Sequence, residues 1–203
     1  MNRQTIIGIG AILAILASAW LITRNLRRQP ETIGASLSHA VSAAAVQQVT
    51  SLLHGRGNIV VFAAADCDEC NLSRELRETF AASLKSASGI HVLATELVRI
   101  PSDGNPQLPA DIYRRVQQQH PGADAIVSLV GAPSVDRREF SGRSGKLIVV
   151  LTAGDGEPLR ELIAGRIIAA AIIPRIHPPA GIPRPPKTLQ QIFDFNYELL
   201  KSS

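Results

Sequence analysis

Apolar and polar residues alternate in two regimes along this chain. The first is unbroken. From Thr5 to Thr23 no residue is charged, and Ile6 to Ile22 is built from Ile, Leu, Ala and Gly with one Ser and one Trp. That length is close to the roughly 20 residues a helix needs to cross a hydrocarbon core. Arg24, Arg27 and Arg28 stop the run, and Trp20 sits where an interfacial aromatic is expected. Residues 1–28 are therefore expected to form a single-pass membrane anchor. A cleaved signal peptide is the competing reading, with Arg3 as its basic start, Ile6 to Leu16 as its apolar centre and Ala17-Ser18-Ala19 as its cleavage site. The hydrophobic continuation through Trp20, Leu21 and Ile22 favours the uncleaved anchor. The three arginines after the segment lean towards a cytoplasmic domain by the positive-inside rule.

The second regime begins after a linker, residues 29–35, that carries Pro30 and Gly34. Leu37, Val41, Ala44, Ala45, Val49, Leu52 and Leu53 recur at helical spacing, and Gly55 and Gly57 end that helix. Asn58 to Ala64 is a continuous apolar run, as expected of a strand buried on both faces of a parallel sheet. Leu72, Leu76, Phe80 and Leu84 then mark one face of a helix over about Asn71 to Ser86. Ile90 to Leu97 reads as a second strand, Pro101 to Pro109 as a loop, and Asp111 to Gln119 as a helix ended by His120-Pro121-Gly122.

Ala125 to Val130, Lys146 to Thr152 and Ile167 to Ile173 complete five strands. Only a short helix fits around Val135 to Phe140, and another runs from Pro158 to Ala164. His177 to Pro186 is proline-rich and extended, and Thr188 to Leu200 is expected to be a closing helix. Strands alternating with helices imply βαβ crossovers. The expected fold is thus a three-layer α/β sandwich over residues 36–203, with a five-stranded parallel sheet of order 2-1-3-4-5 preceded by one transmembrane helix.

Composition narrows the function classes. The chain has 203 residues, 45% hydrophobic and 19% charged, which suits one folded core plus an apolar segment. The net charge of +4 is spread without a basic run, and aromatics make up only 4%, so a nucleic-acid partner is not expected.

Four stretches, taken in order, carry a resemblance. They are Gly57-Asn58-Ile59-Val60-Val61-Phe62 with Arg74, Phe80, Leu84 and Gly89-Ile90-His91-Val92; Gln119 to Val127; Lys146 to Val150 with Gly154-Asp155-Gly156-Glu157-Pro158; and Leu162-Ile163-Ala164-Gly165-Arg166-Ile167 with Ala169 to Ile172. Together they resemble the C-terminal lobe of a periplasmic sugar-binding protein of the type I substrate-binding fold. The resemblance implies a small, sugar-like ligand and a periplasmic domain, opposite to the side suggested by the arginines. In that family an Asn-Asp pair after the third strand and an Asp after the fourth contact sugar hydroxyls. This chain has Ser128-Leu129-Val130-Gly131-Ala132-Pro133 at the first position, and Asp155 stands about two residues nearer Gly165 than the family spacing. The quoted stretches cover one lobe, so closure of two lobes around a ligand is not expected within them. A lobe without its mate exposes surface that a protein partner or a second copy would cover.

Candidate chemistry falls at the carboxyl ends of strands, the ligand-binding edge of open α/β sheets. Asp66 follows strand one, Gly131 and Pro133 follow strand three, Thr152 and Asp155 follow strand four, and Arg175 follows strand five. These are candidate ligand contacts and, equally, ordinary turn and rim residues. Cys67-Asp68-Glu69-Cys70 lies between a strand and a helix, where the helix dipole acidifies a thiol for dithiol redox chemistry. Asp66, Asp68 and Glu69 oppose that shift, so a structural disulfide or inert thiols also fit.

His54, His91, His120 and His177 are scattered, so no metal or other cofactor is expected. Gly55-Arg56-Gly57 precedes a strand and is not a phosphate loop, which has to follow one. No catalytic triad or paired carboxylate stands out. The reading favoured is a membrane-anchored, non-enzymatic binding or interaction domain. The alternative is a membrane-anchored dithiol protein using Cys67 and Cys70, and a scaffold role for a membrane complex is a third.

Overall fold

Eight residues, Gly57–Ala64 (β1), run through the centre of the molecule, with Ile59 to Ala64 all buried. Their continuous apolar character follows from having helices on both faces of the sheet, which leaves no solvated side to alternate towards. The computed structural model describes residues 33–65, 71–99, 107–134, 147–151 and 156–201. Residues Gly34–Ser203 form one compact unit.

Ile33–Leu52 (α1) precedes β1, and Asn71–Leu84 (α2) follows it. The other strands are Ile90–Val98 (β2), Ala125–Ser128 (β3), Leu147–Val150 (β4), Ala170–Pro174 (β5) and Tyr197–Lys201 (β6). The remaining helices are Ala110–Gln119 (α3), Glu157–Ala164 (α4) and Leu189–Asn196 (α5). The sheet order is β2-β1-β3-β4-β5-β6. β1 pairs in parallel with β2 and β3, β3 with β4, and β4 with β5.

From β1 the chain moves outward to β2, then returns past β1 to β3 and continues the other way. With crossovers of one hand, such a reversal places the helices on opposite faces. The core divides accordingly. Val41, Ala45 and Val49 of α1, Leu76 and Phe80 of α2 and Phe193 of α5 pack with Ile59, Val61, Val127, Ile148 and Ile172 on one face. Tyr113 and Val116 of α3 and Leu159 and Ile163 of α4 pack with Val60, Phe62, Val149, Ala171 and Ile173 on the other. Helices α1 to α4 each bury residues three or four apart, so one stripe meets the sheet. Between α1 and α2 the contact is partly polar, with the hydroxyls of Ser42 and Thr79 2.7 Å apart.

The C-terminal segment departs from expectation. The closing helix ends at Asn196, and residues 197–201 form a sixth strand, antiparallel to β5, with Pro174 opposite Tyr197 and Ala170 opposite Lys201. The sheet is therefore six-stranded and mixed, where a five-stranded parallel sheet was expected. Two physical facts favour the strand. Without it, β5 would present an unpaired row of N–H and C=O groups. Moreover, Tyr197 and Leu199 pack into one core layer while Leu200 packs into the other, the alternation of a strand.

The third strand also ends earlier than expected, and the fifth begins later. Leu129, Val130, Ile167 and Ile168 are nonetheless buried as turn and loop residues. The expected anchor in residues 1–28 and the short helix around Val135 to Phe140 lie outside the described residues. Among the described residues, no helix is long and apolar enough to cross a membrane.

Candidate functional site at the carboxyl edge of the sheet

The parallel strands all end on one side, and the chain segments leaving them build a rim. β1 continues to Ala65, whose amide donates to Val98 O at 2.8 Å. β4 continues to Leu151, whose amide donates to Ile172 O at 2.8 Å. Asp66, Cys67, Cys70, Thr152 and Asp155, all expected on this rim from sequence, lie outside the described residues. Gly131, Pro133 and Arg175 are described.

Gly131 and Pro133 belong to a closed turn. Gly131 has φ 91, a left-handed conformation that favours glycine. Its amide donates to Val150 O at 3.2 Å, and its carbonyl accepts from the buried Ser128 hydroxyl at 2.5 Å. Pro133 is buried and forms a parallel bridge with Leu108. The backbone exchanges Leu108 N to Ala132 O at 3.1 Å and Ser134 N to Leu108 O at 2.9 Å. Among the described residues at this turn, Leu108, Leu129 and Val130 are all buried.

Arg175 stands elsewhere on the same edge, two strand spacings from β3, or about 10 Å. Its amide donates to Asn196 O at 2.8 Å, and its side chain donates from Nε to Tyr197 O at 3.2 Å. A second guanidinium nitrogen reaches Glu198 Oε2 at 3.4 Å. Arg160 of α4 pairs with the other oxygen of Glu198, and its Nε lies 3.3 Å from Glu157 Oε2. One carboxylate is therefore held between two guanidinium groups. The Arg175 and Glu198 side chains are 28% and 23% exposed, so solvent screens the pair and its contribution to stability is small.

Beside this cluster lies a cavity of about 280 Å³, lined among others by Gly156, Arg160, Ile173, Arg175, His177 and Glu198. The volume is just under the roughly 300–1,000 Å³ of small-molecule sites. It opens at the start of α4, where Gly156 provides the N-cap without a side-chain hydrogen bond. Guanidinium groups donate hydrogen bonds and carboxylates accept them. The lining can therefore recognise a ligand that offers both kinds of group.

Sequence reasoning placed Arg175 on this edge but missed its company. Arg160 and Glu157 stand three apart on α4, a spacing that was legible. Glu198 was hidden because its segment was read as helix, and only its pairing beside Arg175 on an antiparallel strand brings it to the rim.

No protein-family model and no curated protein matches the chain. Solved structures do. A sugar ABC transporter protein from Actinomyces odontolyticus superposes with a TM-score of 0.51 at 16% identity, over 67% of this chain and 43% of that one. An arabinose binding protein from Geobacillus stearothermophilus gives 0.52 at 16% identity, over 66% and 45%. An ABC transporter solute binding protein from Agrobacterium vitis, bound with α-D-tagatopyranose, gives 0.53 at 16% identity, over 68% and 45%.

The fold is that of one lobe of a sugar-binding protein. This chain spans under half the length of those solute-binding proteins, in keeping with a likeness confined to one lobe. Among the described residues of this fold, the position after β3 carries the apolar turn described above, and charged side chains meet after β5 and on α4.

Proposed function

We propose that this chain is a non-enzymatic binding domain, tethered to a membrane by residues 1–28, that takes a small polyhydroxylated ligand at the carboxyl edge of its sheet. The observation that carries this reading is the cavity beside Arg160, Arg175 and Glu198, set in a fold otherwise known from proteins whose names record sugar binding. Two guanidinium donors and a carboxylate acceptor facing one cavity match the paired donor and acceptor character of a sugar hydroxyl. Asp155, which immediately precedes Gly156 in sequence, and Thr152, three residues before Asp155, are proposed as further contacts, and Asp66 as a contact from the end of β1. Gly131 and Pro133 are proposed to shape the rim through their backbone. A partner protein resting on the same edge would supply the enclosure that a second lobe gives in a two-lobed protein.

Calorimetric titration of the purified full chain with a panel of neutral pentoses and hexoses tests the ligand. At least one sugar should bind, and Arg175→Ala should weaken it by tenfold or more without lowering the melting temperature by more than a few degrees. Absence of binding across the panel, or equal affinity in the variant, would count against the site. Carbonate extraction of membranes, with and without residues 1–28, tests the tether, which is refuted if the full chain is released.

A further inference from the structure

The two edges of the sheet are finished differently. β6 is short and carries Glu198, already engaged by two arginines, and Lys201 at its end. β2 has nine residues and, among the described strands, one neighbour, β1. Most of its side chains are accessible, including Val92 at 45%, Leu93 at 45% and Leu97 at 54% exposure. Natural edge strands are usually blunted with lysine, proline or a short span. β2 has no lysine or proline, and its one irregularity is a register shift that leaves Leu93 as an extra residue between Val92, opposite Ile59, and Ala94, opposite Val60.

We propose that β2 pairs with β2 of a second copy of this chain, antiparallel across a two-fold axis, joining two six-stranded sheets into one. The pattern along the strand is self-complementary in one register. With the axis between Leu93 and Ala94, Ile90 falls opposite Leu97, His91 opposite Glu96, and Val92 opposite Thr95, each pair occurring twice. Antiparallel partners across such an axis must project to the same face. They do. Val92 and Thr95 align with Ile59 and Val61 of β1, which both point into the α1/α2 layer. Ile90 and Leu97 align with Gly57 and Ala63, and Ala63 lies in the same layer.

His91 and Glu96 align with Asn58 and Phe62 and share the opposite face. Moving the axis by one residue places Leu93 against Glu96 and sets Ala94 against Thr95, which project to different faces. The favoured register places Val92 and Leu97 in cross-strand pairs, brings the bulge residue Leu93 opposite Ala94, sets the His91 imidazole beside the Glu96 carboxylate, and places no like charges together. Identical patches meeting each other also close the assembly at two copies.

Mass measurement of the full chain in detergent, by sedimentation over a range of protein concentrations, tests the pairing. The expected result is a dimer whose dissociation constant rises about tenfold with Glu96→Lys and returns towards the starting value in the double swap His91→Glu/Glu96→Lys. Far-UV circular dichroism confirms that each variant is folded. In a Cys67→Ser/Cys70→Ser background, a mixture of Val92→Cys chains and Thr95→Cys chains should form disulfide-linked dimers, since directly opposed strand residues lie within disulfide reach. Neither variant alone should do so. A monomeric wild-type chain, a dimer indifferent to Glu96→Lys, or cross-linking by either cysteine variant alone as readily as by the mixture would overturn the proposal.

Discussion

Gly156 offers a direct test of how α4 is seated over the sheet. Its backbone, φ −81 and ψ 0, is one that any L-residue adopts. Replacing it with alanine should therefore stabilise the chain by about 0.4–1 kcal/mol through the unfolded state if nothing stood in the way. Something does. A Cβ at this position would lie 2.3 Å from Ile173 Cδ1 and 3.0 Å from Ile173 Cβ and Cγ2. Favourable carbon contacts begin at roughly 3.5 Å, so the nearest pair would have to separate by about 1.2 Å.

Ile173 is buried on β5, and its Cβ and Cγ2, close to the backbone, also stand 3.0 Å from the added carbon, and overpacking of this kind costs about 1–3 kcal/mol. The net effect of Gly156→Ala is then a loss of between about 0 and 2.6 kcal/mol, centred near 1 kcal/mol. Ile173→Val removes Cδ1 and by itself should cost about 0.5–1.5 kcal/mol. In the double variant the worst contact is gone, so the two costs should fall short of their sum by about 1 kcal/mol. Urea unfolding of residues 34–203, followed by far-UV circular dichroism, measures all four corners of this cycle. A Gly156→Ala variant more stable than the parent, or strictly additive costs, would refute the close packing of the α4 start on β5.

Other consequences are equally open to measurement. Burial raises the Tyr197 phenol above its ordinary pKa near 10. The neutral phenol is the form favoured in the folded chain, so its contribution is fully present below the unfolded pKa and is lost as pH rises through the folded one. Melting temperature should fall above about pH 10, and Tyr197→Phe should flatten that fall; an unchanged alkaline profile would contradict the burial. Thr188 caps α5 by accepting from Gln191 N at 3.2 Å, while Gln191 Oε1 accepts from Lys187 N at 2.9 Å. Thr188→Ala should cost about 1 kcal/mol in the same urea assay, and a cost indistinguishable from zero would mean the cap is ornamental. Phe62, fully buried at the centre of β1, should cost about 3–5 kcal/mol when changed to alanine, and a cost below half of that would mean the core around it collapses freely.

Much of the architecture was legible in the residues because burial imposes period. The apolar run of β1, the every-fourth-residue stripe Leu76, Phe80 and Leu84 of α2, and the alternation of such segments were enough to predict a layered parallel sheet and the 2-1-3-4-5 order of its first five strands. Those signals are local, and one segment's burial pattern does not depend on knowing its neighbours. The edge of the sheet was not legible in the same way. The sequence Tyr197 to Lys201 fits the end of a helix about as well as a short strand, and what decided between them was the open side of β5, an element more than twenty residues earlier in the chain.

That decision also made the candidate site. Glu198 meets Arg175 and Arg160 only because β6 turns back along β5, a contact between residues 23 and 38 positions apart in sequence. The same holds for the exposure of β2. Its apolar residues read as those of an ordinary buried strand, and only its place at the end of the sheet leaves Val92, Leu93 and Leu97 facing outward. Periodicity tells which side of an element is covered by its own chain's core, whereas tertiary structure alone decides which elements stand last in the sheet and which charges are brought together there.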